Sequence, residues 1–291
     1  MSPTTASSTR PAVTRGLGVI LREANPLRFG RTLWARRDLI RQLTRREITG
    51  RYRSSSLGLV WSLVTPLVTL LLYTFVFGVV FKARWPGTRS ENLAEYGLLL
   101  FAGITAFTLF SESVTRAPGL ITSSPNYVKK VVFPLEVLAV SVLGSALFHA
   151  LVSTTLLVVG TWLFLGTLSS TLWLLPVVLL PLAALSLGSA WILASLGVYL
   201  RDIGHTVGLV TQVLFFTTPI FYAAEAVPEG LRAIILLNPL TPMVENMRRV
   251  CVLGLWPDWP TYALSVLISV GVLCAGHSWF AVTKRGFADV L

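Results

Sequence analysis

The chain has almost nothing from which to build a catalytic or metal centre. Its two cysteines, Cys251 and Cys274, show no motif spacing, so neither a disulfide framework nor a thiolate metal site is indicated. The three histidines, His149, His205 and His277, lie far apart in sequence. No GxxxxGK(S/T) phosphate loop, His-Glu-x-x-His helix, GxSxG elbow or paired acidic motif occurs, which leaves no cluster for nucleotide hydrolysis, zinc chemistry or acyl transfer. Charge is scarce as well: 13% of residues are charged and 54% hydrophobic, with a mean hydropathy of +0.71. A soluble domain of 291 residues needs far more charge. Apolar runs of about 20 residues, each crossing a hydrocarbon layer of about 30 Å, account for the balance and mark an all-α polytopic membrane protein.

The charge that is present is concentrated at one end. Residues 1–56 hold twelve of the twenty arginines against Glu23, Asp38 and Glu47, and supply most of the net +11. A cytoplasmic basic skirt obeying the positive-inside rule explains this better than a nucleic-acid-binding arm. Residues 1–16 are rich in Ser, Thr, Pro and Arg and lack the apolar core of a signal peptide, so 1–32 read as a cytoplasmic tail. Over residues 33–48, Leu33, Ile40, Leu43 and Ile48 fall on one side of a helix at about 100° per residue. Asp38, Gln42, Arg45 and Arg46 take the other side, while Arg36, Arg37 and Glu47 blur the apolar face. The segment 33–56 therefore reads as a helix in the cytoplasmic interface, its arginines meeting anionic headgroups at about 1 kcal/mol each. A solvated linker helix is the competing reading.

Six spans follow within residues 57–291, at 57–81, 97–115, 135–165, 172–200, 206–223 and 261–282. An even number places both termini on one side. Lys129, Lys130, Arg201, Lys284 and Arg285 fall in the loops of the cytoplasmic side, whereas residues 224–260 carry three arginines against four acids.

Two segments do not span. In residues 121–134, Ser124 is placed as a helix cap, Pro125 as the first helical residue and Pro134 as the stop, which predicts a short cytoplasmic helix of about two turns. Its surface mixes Tyr127, Val128, Val131 and Phe133 with Lys129 and Lys130, fit for a groove on a partner protein or for contact with headgroups. In residues 225–254, an apolar run too short to span is broken at Asn238-Pro239. Thr241 is then placed as a cap, with Pro242 first in the next helix and Glu245 in its first turn. Such a pair reads as an outer re-entrant hairpin bordering a cavity, or as two amphipathic helices resting on the outer leaflet.

Within the spans, Glu112 needs a partner, and Arg116 lies four residues on along the same helical face. His149 falls mid-span and can pair with Glu112 or a serine; a packing histidine is the simpler reading than a proton carrier. Aromatic residues are plentiful, but lipid-facing Phe and interfacial Trp or Tyr are ordinary in membrane proteins.

Four segments in order carry a family resemblance. Tyr52-Arg-Ser-Ser-Ser-Leu-Gly58 followed by Trp61 and Pro66 matches a Tyr-(Lys/Arg)-x-Ser-x-Leu-Gly-x-x-Trp entry to a first span. Asn126-Tyr-Val-Lys-Lys-Val-Val-Phe-Pro134, with Glu136-Val137 after it, matches a cytoplasmic coupling helix. Val198-Tyr-Leu-Arg-Asp-Ile203 follows the fourth span, with Leu200 where Phe is common; Phe215-Phe-Thr-Thr-Pro-Ile-Phe-Tyr222 and Asn238-Pro-Leu240 complete the set. Together these resemble the permease subunits of ABC transporters that export polysaccharides and polyol phosphates.

The resemblance implies a homodimer that encloses the channel between its copies, in the bacterial plasma membrane. It implies two copies of a separate ATP-binding subunit, which hold ATP and Mg, so that this chain has no cofactor of its own. Asn126, Tyr127, Lys129, Lys130 and Phe133 are then the contacts that couple to that subunit. Arg36, Arg37, Arg41, Arg45, Arg46, Arg51, Tyr52 and Arg53 border a lateral entrance for a polyprenyl-pyrophosphate-linked glycan, whose anion suits guanidinium. Trp61, Tyr73, Phe77, Phe107, Phe110, Phe215, Phe216 and Tyr222 are the candidate channel aromatics, on which sugar rings stack. Arginine outnumbers lysine twenty to four, as GC-rich genomes favour, which puts cell-wall galactan first among the glycans, with O-antigen and teichoic acid next. A drug or small-metabolite efflux permease shares the topology. A secondary transporter would show related halves, which are not apparent, and intramembrane acids, of which Glu112 stands alone near a membrane end.

Overall fold

A computed structural model describes residue 30 and residues 33–83, 85, 93–128, 133–166 and 168–291. Among these residues the chain is helical, without strands. Helix α1 (Arg37–Tyr52) precedes α2, which runs over Gly58–Val80 as a 3₁₀ turn, an α-helix from Trp61 and a π-helical end from Thr74. Then come α3 (Leu93–Arg116), the single turn α4 (Pro125–Val128), α5 (Glu136–Leu165), α6 (Leu175–Tyr199) and α7 (Ile203–Thr217). Short helices α8 (Glu229–Leu237) and α9 (Leu240–Arg248) lead to α10 (Trp259–Thr283) and a last turn, α11 (Phe287–Val290).

Five helical segments are long and apolar enough to cross a membrane: Gly58–Val80, Leu93–Gly119, Glu136–Leu165, Leu172–Tyr199 and Trp259–Val290. Helix α3 is the axis of the bundle. Its run from Tyr96 to Phe107 is apolar or small on every side, and all of it is buried. Helices α6 and α10 cross at Gly188 and Gly276, so closely that a Cβ on Gly276 would collide with the Gly188 carbonyl. Small residues bring helices together where lipid supplies no hydrophobic drive between them. Helix α2 lies at the periphery, with Leu63, Val68, Leu71 and Phe75 exposed.

A helix forms where the 33–48 pattern predicts one, shifted by about one turn. Leu43 is buried and Leu39 and Ile40 are packed against α5 and its neighbours, while Asp38, Gln42, Arg45 and Arg46 are exposed. Gly144 of α5 receives Thr44, whose hydroxyl leaves no room for a Cβ there.

The region after α6 departs from expectation. The segment 206–223, read as a full span, is helical only to Thr217; a 15-residue helix is about 22 Å long, short of the hydrocarbon thickness. Pro219 lacks an N–H and pushes Thr218 into an extended conformation, which stops the helix. Two short helices do follow the break, but the cap differs from the predicted one. Asn238, not Thr241, accepts the Leu240 N–H at 3.0 Å, while Thr241 lies inside α9 and donates to the Ile235 carbonyl at 2.6 Å. Glu245 sits in the second turn of α9 and pairs with Arg248 at 2.6 Å.

Arg248 closes this region. Its side chain is fully buried; Nε donates to the Leu99 carbonyl at 3.0 Å, Nη2 to the Ile220 carbonyl at 2.7 Å, and the guanidinium stacks over Trp85 at 4.1 Å. The Asn238 amide donates to the Thr218 hydroxyl at 2.8 Å. The broken backbone after α7 and the turn between α8 and α9 are thus satisfied by protein, as a low-dielectric setting requires.

Replacing Arg248 by Met leaves two carbonyls and a carboxylate without their donor. The expected cost is about 3–5 kcal/mol, read as a lowered thermal midpoint of the purified protein in detergent. Lys at this position restores only part of it, since one ammonium does not reach all three acceptors at a guanidinium's angles.

Candidate functional site

The C-terminal end of α1 lies over the junction of α2, α3 and α5, and three of these elements, α1, α3 and α5, bring ionisable groups to one point there. Glu112 projects from α3 with only 8% of its side chain exposed. Arg51, at the end of α1, pairs with it at 2.9 Å, and His149 Nδ1 of α5 lies 3.0 Å from the same carboxylate. The His149 Nδ1 is also 3.0 Å from Arg51 Nη1, and its Nε2 is 3.1 Å from the Tyr52 hydroxyl. The imidazole thus lies between the carboxylate and the phenol. Arg116 ion-pairs with Glu47 of α1 and stays 3.8 Å from Glu112. The local Glu112–Arg116 pair read from spacing is therefore the long contact, and the short ones join separate elements.

This cluster lines one end of a cavity of about 270 Å³ between α2, α3 and α5. Ser62, Thr65, Thr69, Thr105, Thr108 and Ser153 place hydroxyls on its wall, with Pro66, Phe101 and Ile104 between them. Among the described residues no group of three or more His, Cys, Asp or Glu is arranged to hold a metal ion.

The arginines read as an entrance divide into two sets. Arg36 is committed to Glu136 at 3.0 Å, Arg46 donates to the Tyr127 hydroxyl at 2.7 Å and Arg51 to Glu112. Arg37 lies over the Trp34 ring. Arg41, Arg45 and Arg53 are exposed and make no ion pair among the described residues. Of the coupling residues, Asn126 and Tyr127 lie in α4, and Tyr127 stacks on Phe133 at 4.3 Å between ring centroids. Lys129 and Lys130 lie outside the described residues, as do Val131 and Val132.

The aromatic residues form a connected group. Phe77 stacks on Phe221 at 4.5 Å, Tyr73 lies 5.5 Å from Phe221, and Phe215 touches Phe107, Phe216 and Phe221. Phe107 and Phe110 are buried within the bundle, whereas Trp61 and Phe216 are exposed; Tyr222 donates to the Phe216 carbonyl at 2.8 Å. Phe221, the hub of the group, was not among the residues predicted to line a channel.

Three further residues escaped the sequence reading. Glu136 takes both Arg36 and, at 3.6 Å, Lys284, which ties α1 and the end of α10 to the start of α5. Arg248 looked like one of several loop charges, and only its place three residues after Glu245 hinted at a pair. Cys251 is buried, its thiol pushed up to about 12 by burial, and donates to the Met247 sulfur at 3.8 Å. Burial likewise raises the Glu245 carboxyl, with Arg248 opposing that shift.

The family model described as ABC-2 type transporter matches residues 38–251, from α1 to the π-helical turn after α9. The O-antigen export system permease protein RfbA of Klebsiella pneumoniae is 29% identical over 257 residues, 87% of this chain and 95% of that protein. The protein of the same name from Myxococcus xanthus is 29% identical over 270 residues, 90% of this chain and 99% of the relative. The daunorubicin resistance ABC transporter permease protein DrrB1 of Streptomyces coeruleorubidus is 26% identical over 195 residues, 60% of this chain.

A double-mutant cycle of Arg51→Gln and Glu112→Gln, read by thermal unfolding, is expected to give a coupling on the order of 0.5–3 kcal/mol. The partly exposed guanidinium draws the value toward the lower end. Additive effects would show that the two charges do not act as a pair.

Proposed function

The chain belongs to the ABC-2 type transporter family, and on that premise we propose that it is the membrane subunit of an exporter that moves a polyprenyl-pyrophosphate-linked polysaccharide out of the cytosol. The similarity to the O-antigen permeases supports this reading because it runs through the interfacial helix and nearly the whole bundle. The observation that carries it is the arginine-bearing α1, docked by ion pairs over a hydroxyl-bearing cavity between α2, α3 and α5. An amphiphile with an anionic head and a sugar chain needs such a place, where arginines lie beside a recess with hydroxyls on its wall.

In this mechanism the pyrophosphate meets Arg41, Arg45 and Arg53, whose guanidinium groups are exposed and uncommitted among the described residues. The glycan passes between two copies of the chain, against the ring group around Phe221. The exposed apolar faces of α2 and α7, including Leu63, Val68, Val210 and Phe216, suit contact with lipid and with a second copy. A separate subunit binds ATP and Mg, and its motion reaches the bundle through residues 121–134. The segment 203–223 serves as a sixth crossing completed by its non-helical end, α8 and α9 form the outer gate, and both termini face the cytosol. Galactan is the first candidate glycan, then O-antigen or teichoic acid.

The drug-resistance permease is the specific rival, and its similarity covers a smaller share of the chain. Copurification with a Walker-type ATPase whose hydrolysis rises with lipid-linked glycan, and not with daunorubicin, is the expected result. The reverse preference would overturn the polysaccharide reading. Charge reversal of Lys129 and Lys130 is expected to remove that stimulation while leaving the permease folded; undiminished stimulation would sink the coupling role of this segment.

A further inference from the structure

The cavity wall gathers hydroxyls that do not bond back to their own helix. A serine or threonine in a membrane helix commonly turns its hydroxyl onto a carbonyl one turn back. Ser62 and Thr69 do so, donating to Leu59 and Thr65 at 2.7 and 2.9 Å. Thr65, Thr105, Thr108 and Ser153 do not: among the described residues none of their hydroxyls makes a hydrogen bond. Thr105 is the informative one, only 3% exposed, with an unpartnered Oγ1 and a place in the lining. An unpaired buried hydroxyl costs free energy, more so in a hydrocarbon layer, unless something polar fills the space beside it.

The charges beside those hydroxyls narrow what that occupant is. Glu112 lines the cavity, where a carboxylate repels phosphate, and Arg51 and Arg116 are already matched by Glu112 and Glu47. What remains is a set of hydroxyls next to a carboxylate, an imidazole and a phenol, all of which exchange hydrogen bonds with vicinal hydroxyl groups. At about 270 Å³ the space falls just under the roughly 300–1,000 Å³ usual for small-molecule pockets, room for one ring and not for a chain.

We propose that this cavity binds one neutral sugar ring, separately from the exposed arginines that meet the anionic anchor. The inference rests on the reading that the protein handles a lipid-linked glycan, and it makes the ring nearest the lipid the natural occupant. Recognition is then split: charge is read at the membrane surface by Arg41, Arg45 and Arg53, and hydroxyl geometry is read one layer deeper by Thr105 and its neighbours. A lipid phosphate with no sugar attached satisfies only the first.

The test uses the full-length protein in nanodiscs, with methyl β-galactoside, methyl β-glucoside and inorganic pyrophosphate as probes, and binding read by saturation-transfer NMR. At least one glycoside is expected to bind weakly and saturably, and to do so unchanged in the presence of pyrophosphate. Thr105→Val and Thr108→Val should each weaken it by roughly two- to tenfold, the effect of one lost hydrogen bond, while Thr105→Ser retains it. Unchanged thermal midpoints show that the variants fold; Thr108 is exposed, so its variant remains informative if Thr105→Val does not fold. Competition by pyrophosphate, indifference to both valine variants, or no saturable glycoside binding overturns the proposal. Glycan-stimulated hydrolysis by the complex is measured alongside: stimulation without glycoside binding removes only this inference, and loss of both removes the export reading as well.

Discussion

A charged group buried in an apolar bundle is costly unless it is paired, and much of this fold is arranged around that cost. The clearest instance is Arg248. Its guanidinium answers the Ile220 carbonyl freed by the break after α7, the Leu99 carbonyl of the central helix, and Glu245 one turn back. Buried ion pairs seldom add net stability, because desolvation offsets the attraction, but they are costly to break and geometrically exacting. Here the pair fixes where an otherwise marginal pair of nine-residue helices sits. Gly103 on α3 contributes by omission: a Cβ there would stand 2.7 Å from Arg248 Nη2.

The same cost shapes the opposite end of α3. Glu112 and Arg116 look to α1 and α5 for partners, and this docks α1 against the bundle. The apolar contacts of Leu39, Ile40 and Leu43 supply area without direction, whereas the ion pairs and the Thr44–Gly144 contact set rotation and depth. Because Arg46 also bonds to Tyr127, the helix that borders the cavity touches the segment assigned to meet the ATP-binding subunit. A displacement of Tyr127 therefore has a short physical route to α1, through one hydrogen bond and one cation–ring contact.

Much of this was legible in the chain before any coordinates. The arginine block, the apolar runs and the α1 pattern follow from periodicity and from the price of charge in hydrocarbon, both local properties. Pro125 as the first residue of α4 and the Asn238-Pro239 break are backbone effects of proline and appear where expected. The end of α7 was missed because 206–223 is apolar throughout, and hydropathy does not register that Pro219 ends the helix while the chain continues at similar polarity. Thr241 was misplaced as a cap because Asn238, three residues earlier, takes the cap hydrogen bond with its side chain and shifts the helix start.

The sequence alone determined that the protein is helical, apolar enough to cross a membrane repeatedly and basic at its N-terminal end. Those conclusions rest on composition and short-range spacing, which act before folding brings distant residues together. Only the tertiary structure decided which of seven entrance arginines are spent on Glu136, Tyr127 and Glu112 and which stay free. It also decided that Thr105 faces a cavity and that Arg248 holds the outer helices. Each of these depends on partners tens to more than a hundred residues away, and electrostatics and hydrogen bonding respond to distance in space, to which distance along the chain is no guide.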